Sequence, residues 1–509
     1  MPLSSAILRP HPHLYEINTW VWLNTLSRKA KRRIRLGDVP NTEWDDLQAK
    51  GFDSIWLMGL WERSARSQQI ARNHPDLRRE YDLALPGWQE SDVGGSPFAV
   101  RAYRPAPEIA SWEELGDVLG RLHARGMKLV LDFVPNHTAL DHEWVTQHPE
   151  YYVQGTFQDA IDFSTAFFPV ETLQGLRFIA HGKDPHFPAW TDTAQLHYFN
   201  LNTRTALLRE LHDIAQYCDG FRCDMAILVL NQVFRQTWGK HLQSLPLPSL
   251  EFWTEATVGL PDWLWIAEVY GNREWELQQL GFHFTYDKTL YDRLRCAPPQ
   301  EIARHLHVDV SFQNKLVRFL ENHDEERSAV IFKKSRLPTV IVLMATVPGM
   351  RLYHQGQLTG TRLRIPVQLG RVQDESPDEM IVSFYDRILT ITNEDVFHLG
   401  QWTLLTITSA GDESFNSVIA YEWKTTQDWR LIILNLSALG AQGVIEVKGE
   451  TVNETFHGTD YAFVDLLTSQ RFEHRQEDLR YHGLSVRLDP LECHVFSISP
   501  SGEGHSGKS

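Results

Sequence analysis

From about residue 14 to about residue 393, short strand-like apolar runs alternate with longer stretches of helical period. That alternation is the signature of repeated β–α units, which pair into a parallel sheet. The runs at 14–17, 54–58, 129–134, 220–224, 265–269, 283–286, 317–320 and 350–353 predict eight strands, the number that closes a (β/α)8 TIM barrel. Helices are predicted between them, for example over 112–125 and 205–217. Ser111 with Glu114 three residues on is a capping-box pattern for the first of these.

The rhythm breaks twice. Asp132 and Asp224 stand about twice as far apart in sequence as Asp224 and Glu268. The excess, residues 137–200, is rich in Tyr, Phe and Trp and predicts a small subdomain inserted after strand three, over the loop face of the barrel. After residue 401 the helical period disappears. Alternating runs at 402–407, 417–423, 429–434, 443–447, 461–466 and 484–488 predict a C-terminal antiparallel β-sandwich. The expected organisation is therefore a barrel over 1–136 and 201–400, an insertion over 137–200, a sandwich over 401–498 and a disordered tail over 499–509.

Composition narrows the partners. The 509 residues carry a formal net charge of −16, which disfavours nucleic acid and anionic membranes. The four Cys are scattered, so neither a disulfide framework nor a zinc site is expected. The longest apolar run, 339–350, contains Pro348 and is too short to span a bilayer. The N-terminus lacks a basic region followed by an apolar stretch, and a cytoplasmic location is the expectation. The basic run 28–35 (RKAKRRIR) reads as a solvated charged face between the first strand and the first helix, on the loop side that faces the site; a phosphorylated sugar is the sharper alternative.

Chemistry gathers where strands end: KLVLDFVPNH (128–137), DGFRCDMA (219–226), WIAEVY (265–270) and VRFLENHDEER (317–327). In a parallel barrel these ends converge on one face. Strand alternation places Arg222 and Asp224 on one side and Cys223 on the other. A cation beside Asp224 keeps that carboxylate ionised, while the apolar approach to Glu268 favours its protonated form. One ionised and one protonated carboxyl on neighbouring strands suits glycoside cleavage, with Asp324 as a third acid and His137 and His323 as donors to sugar hydroxyls. Taken singly, each acid reads more readily as a cap or salt-bridge partner; their joint occurrence carries the assignment.

DFVPNH, GFRCD, AEVY and ENHD, in this order and spacing, resemble the four signature regions of the α-amylase family of retaining α-glycoside hydrolases and transglycosylases. The resemblance implies Asp224 as nucleophile, Glu268 as general acid/base and Asp324 as transition-state stabiliser. It implies Arg222, His137 and His323 around the cleaved sugar, Asp132 beneath it, and Phe98 within GGSPFAVRAY (94–103) as the stacking ring, where the family usually has Tyr. No cofactor is implied as required. Asn136 matches a residue that often ligates calcium, but Ile227 and Leu228 replace a Lys–His pair tied to calcium and acceptor binding. That departure argues against calcium dependence and against starch-type specificity.

The function expected is retaining cleavage of α-glucosidic bonds in malto-oligosaccharides or related glucosides. The alternatives are an α-glycosyl transferase or isomerase, trehalose-synthase-like or acting on a glycosyl phosphate, and a non-catalytic sugar-binding protein. His11 and His13 suggest a metal-dependent hydrolase as a further rival, but they precede the first strand at the end away from the acids. The sequence leaves oligomeric state open.

Overall fold

A computed structural model describes residues 8–242, 245–447 and 460–501. Eight parallel strands close into a barrel: His13–Asn18 (β1), Ser54–Met58 (β2), Lys128–Phe133 (β3), Gly220–Cys223 (β4), Leu264–Ala267 (β5), Phe284–Tyr286 (β6), Leu316–Arg318 (β7) and Met350–His354 (β8). β1 pairs with β8 and β2, which completes the ring. The strands are buried on both faces, with helices such as Trp112–His123 and Leu201–Ala215 outside. The Ser111 capping box forms as expected: Glu114 N–H donates to Ser111 Oγ at 3.2 Å and Ser111 N–H to Glu114 Oε2 at 2.6 Å.

Register explains the convergence of the polar groups. Arg222 lies opposite Asp132, and Cys223 opposite both Phe133 and Ala267. Asp224 and Glu268 therefore each stand one residue past the same level. The backbone holds them there, with Asp224 N–H on Phe133 O at 2.9 Å and Glu268 N–H on Cys223 O at 3.0 Å.

Residues past β3 form a two-stranded piece (His137–Ala139 with Thr193–Gln195) and a three-stranded antiparallel sheet (Gln154–Gly155, Phe167–Thr172, Gly175–Ala180). Tyr152, Phe167, Phe168 and Tyr198 are buried, whereas Phe157 and Phe163 are exposed. The C-terminal part has a six-stranded antiparallel sheet and a three-stranded one, with a core that includes Val418, Leu431, Ile433 and Phe463.

Three expectations need correction. The strand Cys493–Pro500 runs through the start of the segment expected to be disordered from residue 499; the rest, 502–509, lies outside the described residues. The helix Thr19–Ala30 follows β1 directly and takes in residues 28–30 of the basic run, so the run covers the end of that helix and the turn after it instead of lying between strand and helix. Arg28, Arg32 and Arg35 pair with Asp374, Asp38 and Glu114. The helices Ala65–Asn73 and Pro75–Ala84, between β2 and β3, were not foreseen; their polar composition gives only a narrow apolar stripe.

The barrel floor carries a testable property. His13 opens β1 rather than preceding it, and His11, His13 and His398 are all buried around the Arg351 guanidinium. A fixed cation amid these rings opposes metal binding, and no cluster of three or more His, Cys, Asp or Glu suited to a metal occurs among the described residues. Burial first, and then Arg351, pushes all three imidazoles down, His398 to about 3. Depressed histidines take up protons on unfolding once pH drops below about 6.5, so stability present above that pH is lost below it. Thermal melts should show Tm falling between about pH 7 and about pH 5, each histidine contributing up to about 1.4 kcal/mol per pH unit. The variant His398→Gln should flatten that slope.

Candidate active site

At the carboxyl ends of β4 and β5, one buried guanidinium serves two acids. Arg222 Nη1 donates to Asp224 Oδ1 at 2.9 Å, and Nη2 lies 2.7 Å from Glu268 Oε2. The guanidinium is caged by the Trp56, Phe98 and Tyr286 rings, at 5.0, 5.3 and 5.7 Å from their centroids. Dry walls and a fixed cation make this contact strong and its geometry rigid.

Glu268 accepts more than this. Tyr270 Oη donates to Oε1 at 2.7 Å and Met225 N–H to Oε2 at 2.8 Å. Met225 takes a left-handed backbone, φ 41° and ψ 47°, costly for a side chain with a Cβ, and that turn aims its N–H at the acid. Burial pushes the Glu268 carboxyl above its ordinary range; Arg222 pulls the other way, and Asp224 and Asp324 push up again. Burial likewise raises Asp224, with Arg222 opposing. The expected contrast of one low and one high carboxyl is thus absent: both are raised, and the split between them depends on which loses its proton first.

Asp324 differs. Its side chain is 50% exposed, and His323 Nε2 lies 3.0 Å from its Oδ2. On the other side His323 Nδ1 meets Glu16 Oε1 at 2.5 Å. Burial disfavours charge on the imidazole, but Asp324 and Glu16 outweigh it and hold the ring's pKa well above the ordinary value. His323 in turn holds Asp324 below the usual carboxylate range despite desolvation. The chain Glu16–His323–Asp324 gives the third acid a fixed direction.

Asp132 sits beneath, accepting from Trp56 Nε1 at 3.1 Å and Gly59 N–H at 2.9 Å; burial raises its pKa to about 6. The Phe98 ring packs 5.2 Å from His323 and over Arg222, so it lies in the site. His137 is buried against Trp190, and burial lowers its pKa to about 4, which leaves a neutral imidazole. All eight residues singled out for catalysis and sugar contact fall in one region. Asn136 is turned elsewhere: it forms an amide pair with Gln195, at 3.0 and 3.2 Å. With Asn136 so engaged and Ile227 and Leu228 buried, this donor set does not fit a divalent cation.

Sequence reasoning missed Glu16, Trp56, Met225 and Tyr270. The signal for Glu16 was a carboxylate inside an otherwise apolar strand; Tyr270 lay in plain view two residues after Glu268.

Residues 105–233 match the α-amylase catalytic domain. The α-amylase MalA of Haloarcula japonica is 24% identical over 87% of this chain and 60% of its own length. α-Amylase 3 of Dictyoglomus thermophilum is 22% identical over 54% of this chain and 53% of its own. The family these matches point to is the α-amylase family. The chain spans only about 60% of the length of the first of these curated relatives. The maltogenic α-amylase AmyB of Thermotoga neapolitana shares the family fold with this chain, at a TM-score of 0.66 and 18% identity over 96% of this chain and 98% of its own.

Proposed function

We propose that this α-amylase-family chain cleaves α-glucosidic bonds with retention, using Asp224, Glu268 and Asp324. The observation that carries it is the single Arg222 guanidinium bridging Asp224 and Glu268, with Asp324 alongside. Glu268 protonates the glycosidic oxygen as Asp224 Oδ2, the oxygen not engaged by Arg222 Nη1, attacks C1; the C1–O bond breaks and a β-glycosyl ester forms. Glu268, now ionised, takes a proton from water, whose oxygen displaces the ester and returns Asp224. Asp324 and His323 hold sugar hydroxyls whose hydrogen bonds strengthen at the transition state. No step draws on a metal or cofactor.

The substrate favoured is a malto-oligosaccharide or related neutral α-glucoside. Lys288 and Arg273 line the cavity beside Tyr270, but Asp292, Glu325 and Glu276 already pair with them, which weakens the case for a glycosyl phosphate. Transfer to a sugar hydroxyl is the second reading, favoured by the 720 Å³ of that cavity, which can hold an acceptor. The cytoplasm is the location proposed; no helix among the described residues is long and apolar enough to cross a membrane. Incubation with malto-oligosaccharides, trehalose, sucrose and glycosyl phosphates, with NMR of product anomers, tests the whole reading. The α-anomer should appear first, and initial β-anomer refutes retention.

Tyr270 offers a subtler check. Its hydroxyl donates to Glu268 and stabilises the ionised form, so Tyr270→Phe should raise the acid's pKa. The alkaline limb of kcat/KM, where the acid loses its proton, should then move to higher pH. An unmoved or lowered limb shows that the hydroxyl does not govern this proton.

A further inference from the structure

Resting on that reading, we propose that the site is closed on its glycone side one sugar deep, so that the chain removes only terminal units from non-reducing ends. The barrel order fixes the two directions: β5, which delivers Glu268, stands across the ring from β1. An acid protonates the leaving oxygen, so the leaving group lies over β5, in the 720 Å³ cavity lined by Met225, Ile227 and Tyr270. The glycone must point to the opposite rim, over β8, β1 and β2.

That rim is bolted shut. The segment that leads from the helix Pro75–Ala84 towards Phe98 joins the segment after β8 through Gly94 N–H on Gln368 O at 2.8 Å and Gly370 N–H on Asp92 O at 2.8 Å. Val93 and Leu369 bridge between those bonds and are fully buried with Tyr81 and Leu85. Arg371 clamps both oxygens of Asp92, at 2.9 and 2.8 Å. Beneath the joint lies Trp20, from the helix after β1. A Cβ at Gly94 or Gly370 would come within 2.4 or 2.3 Å of its ring, so both segments lie flat on the indole. Arg63 covers Trp20 at 4.7 Å.

The wall reaches the backbone of Asp324. Arg364, from the segment after β8, donates to the Asp324 carbonyl at 3.4 Å and pairs with Glu80 and Glu326 at 3.1 and 3.4 Å. Behind His323, a cavity on this side, lined by Asn18, Asn322, His323 and Arg364 among others, has about 160 Å³, against 720 Å³ for the cavity beside Tyr270. A chain interior needs an open channel at both ends of the site; this arch leaves one.

The test compares maltoheptaose with the same chain carrying a 4,6-ketal on its non-reducing terminal unit. The plain chain should release glucose as its first product. The blocked chain should react about 100-fold more slowly or not at all, because the ketal adds bulk where the wall stands. Comparable cleavage of the blocked chain, or maltose as the first product of the plain one, overturns the closed end and leaves the glycosidase reading standing. Inertness of both chains overturns the malto-oligosaccharide reading and the closed end with it.

Discussion

Asp224→Asn is expected to lower kcat by about ten-thousand-fold or more, with a Tm close to that of the parent. Asparagine nearly matches aspartate in shape and keeps an oxygen for Arg222 Nη1, so the cage of Trp56, Phe98 and Tyr286 around the guanidinium has no reason to move. What it lacks is a charged oxygen able to form the ester, and no neighbour substitutes. Asp324 is tied to His323, and Asp132 is buried beneath with both oxygens engaged. Single-turnover and steady-state rates on the best substrate found by NMR measure the loss. A variant retaining a tenth of the parent rate shows that another group attacks the sugar.

Glu268→Gln should separate the two halves of the reaction. On substrates with poor leaving groups, the loss should be about 100- to 10,000-fold, the usual size of general acid–base catalysis. On α-glucosyl fluoride the first step needs no proton, so ester formation should survive and the glycosyl-enzyme should accumulate. Azide, which needs no general base, should then restore turnover and give an α-glucosyl azide. Gln can still accept from Met225 N–H and present its amide to Tyr270 Oη, so the site should stay assembled. Equal losses on both substrates, with no azide effect, show that Glu268 is not the acid.

Much of this was legible in the chain because barrel chemistry is written locally. Each acid follows its own apolar run, and parallel register brings runs far apart in sequence to one level, as with Cys223 beside Ala267. What sequence did not reveal depends on side chains meeting across the ring. Glu16 gains meaning only because β1 closes beside β8 and so faces His323. Met225 looks like any apolar residue until its left-handed backbone aims an amide at Glu268. The joint of Asp92–Gly94 with Gln368–Arg371 escaped for the same reason: neither segment carries a strand-like rhythm, and each is shaped by the other and by Trp20. The contrast in carboxyl pKa inferred from Arg222 was too simple, since the same guanidinium touches both acids and burial lifts both.

The central claim is that Asp224 becomes bonded to the sugar. Turnover of 5-fluoro-α-glucosyl fluoride slows breakdown of the ester more than its formation, and peptide mapping by mass spectrometry of the trapped protein locates the bond. One glycosyl unit per chain on the peptide carrying Asp224, and none in Asp224→Asn, is the predicted result. A label on any other residue, or turnover of this donor with no label at all, contradicts it.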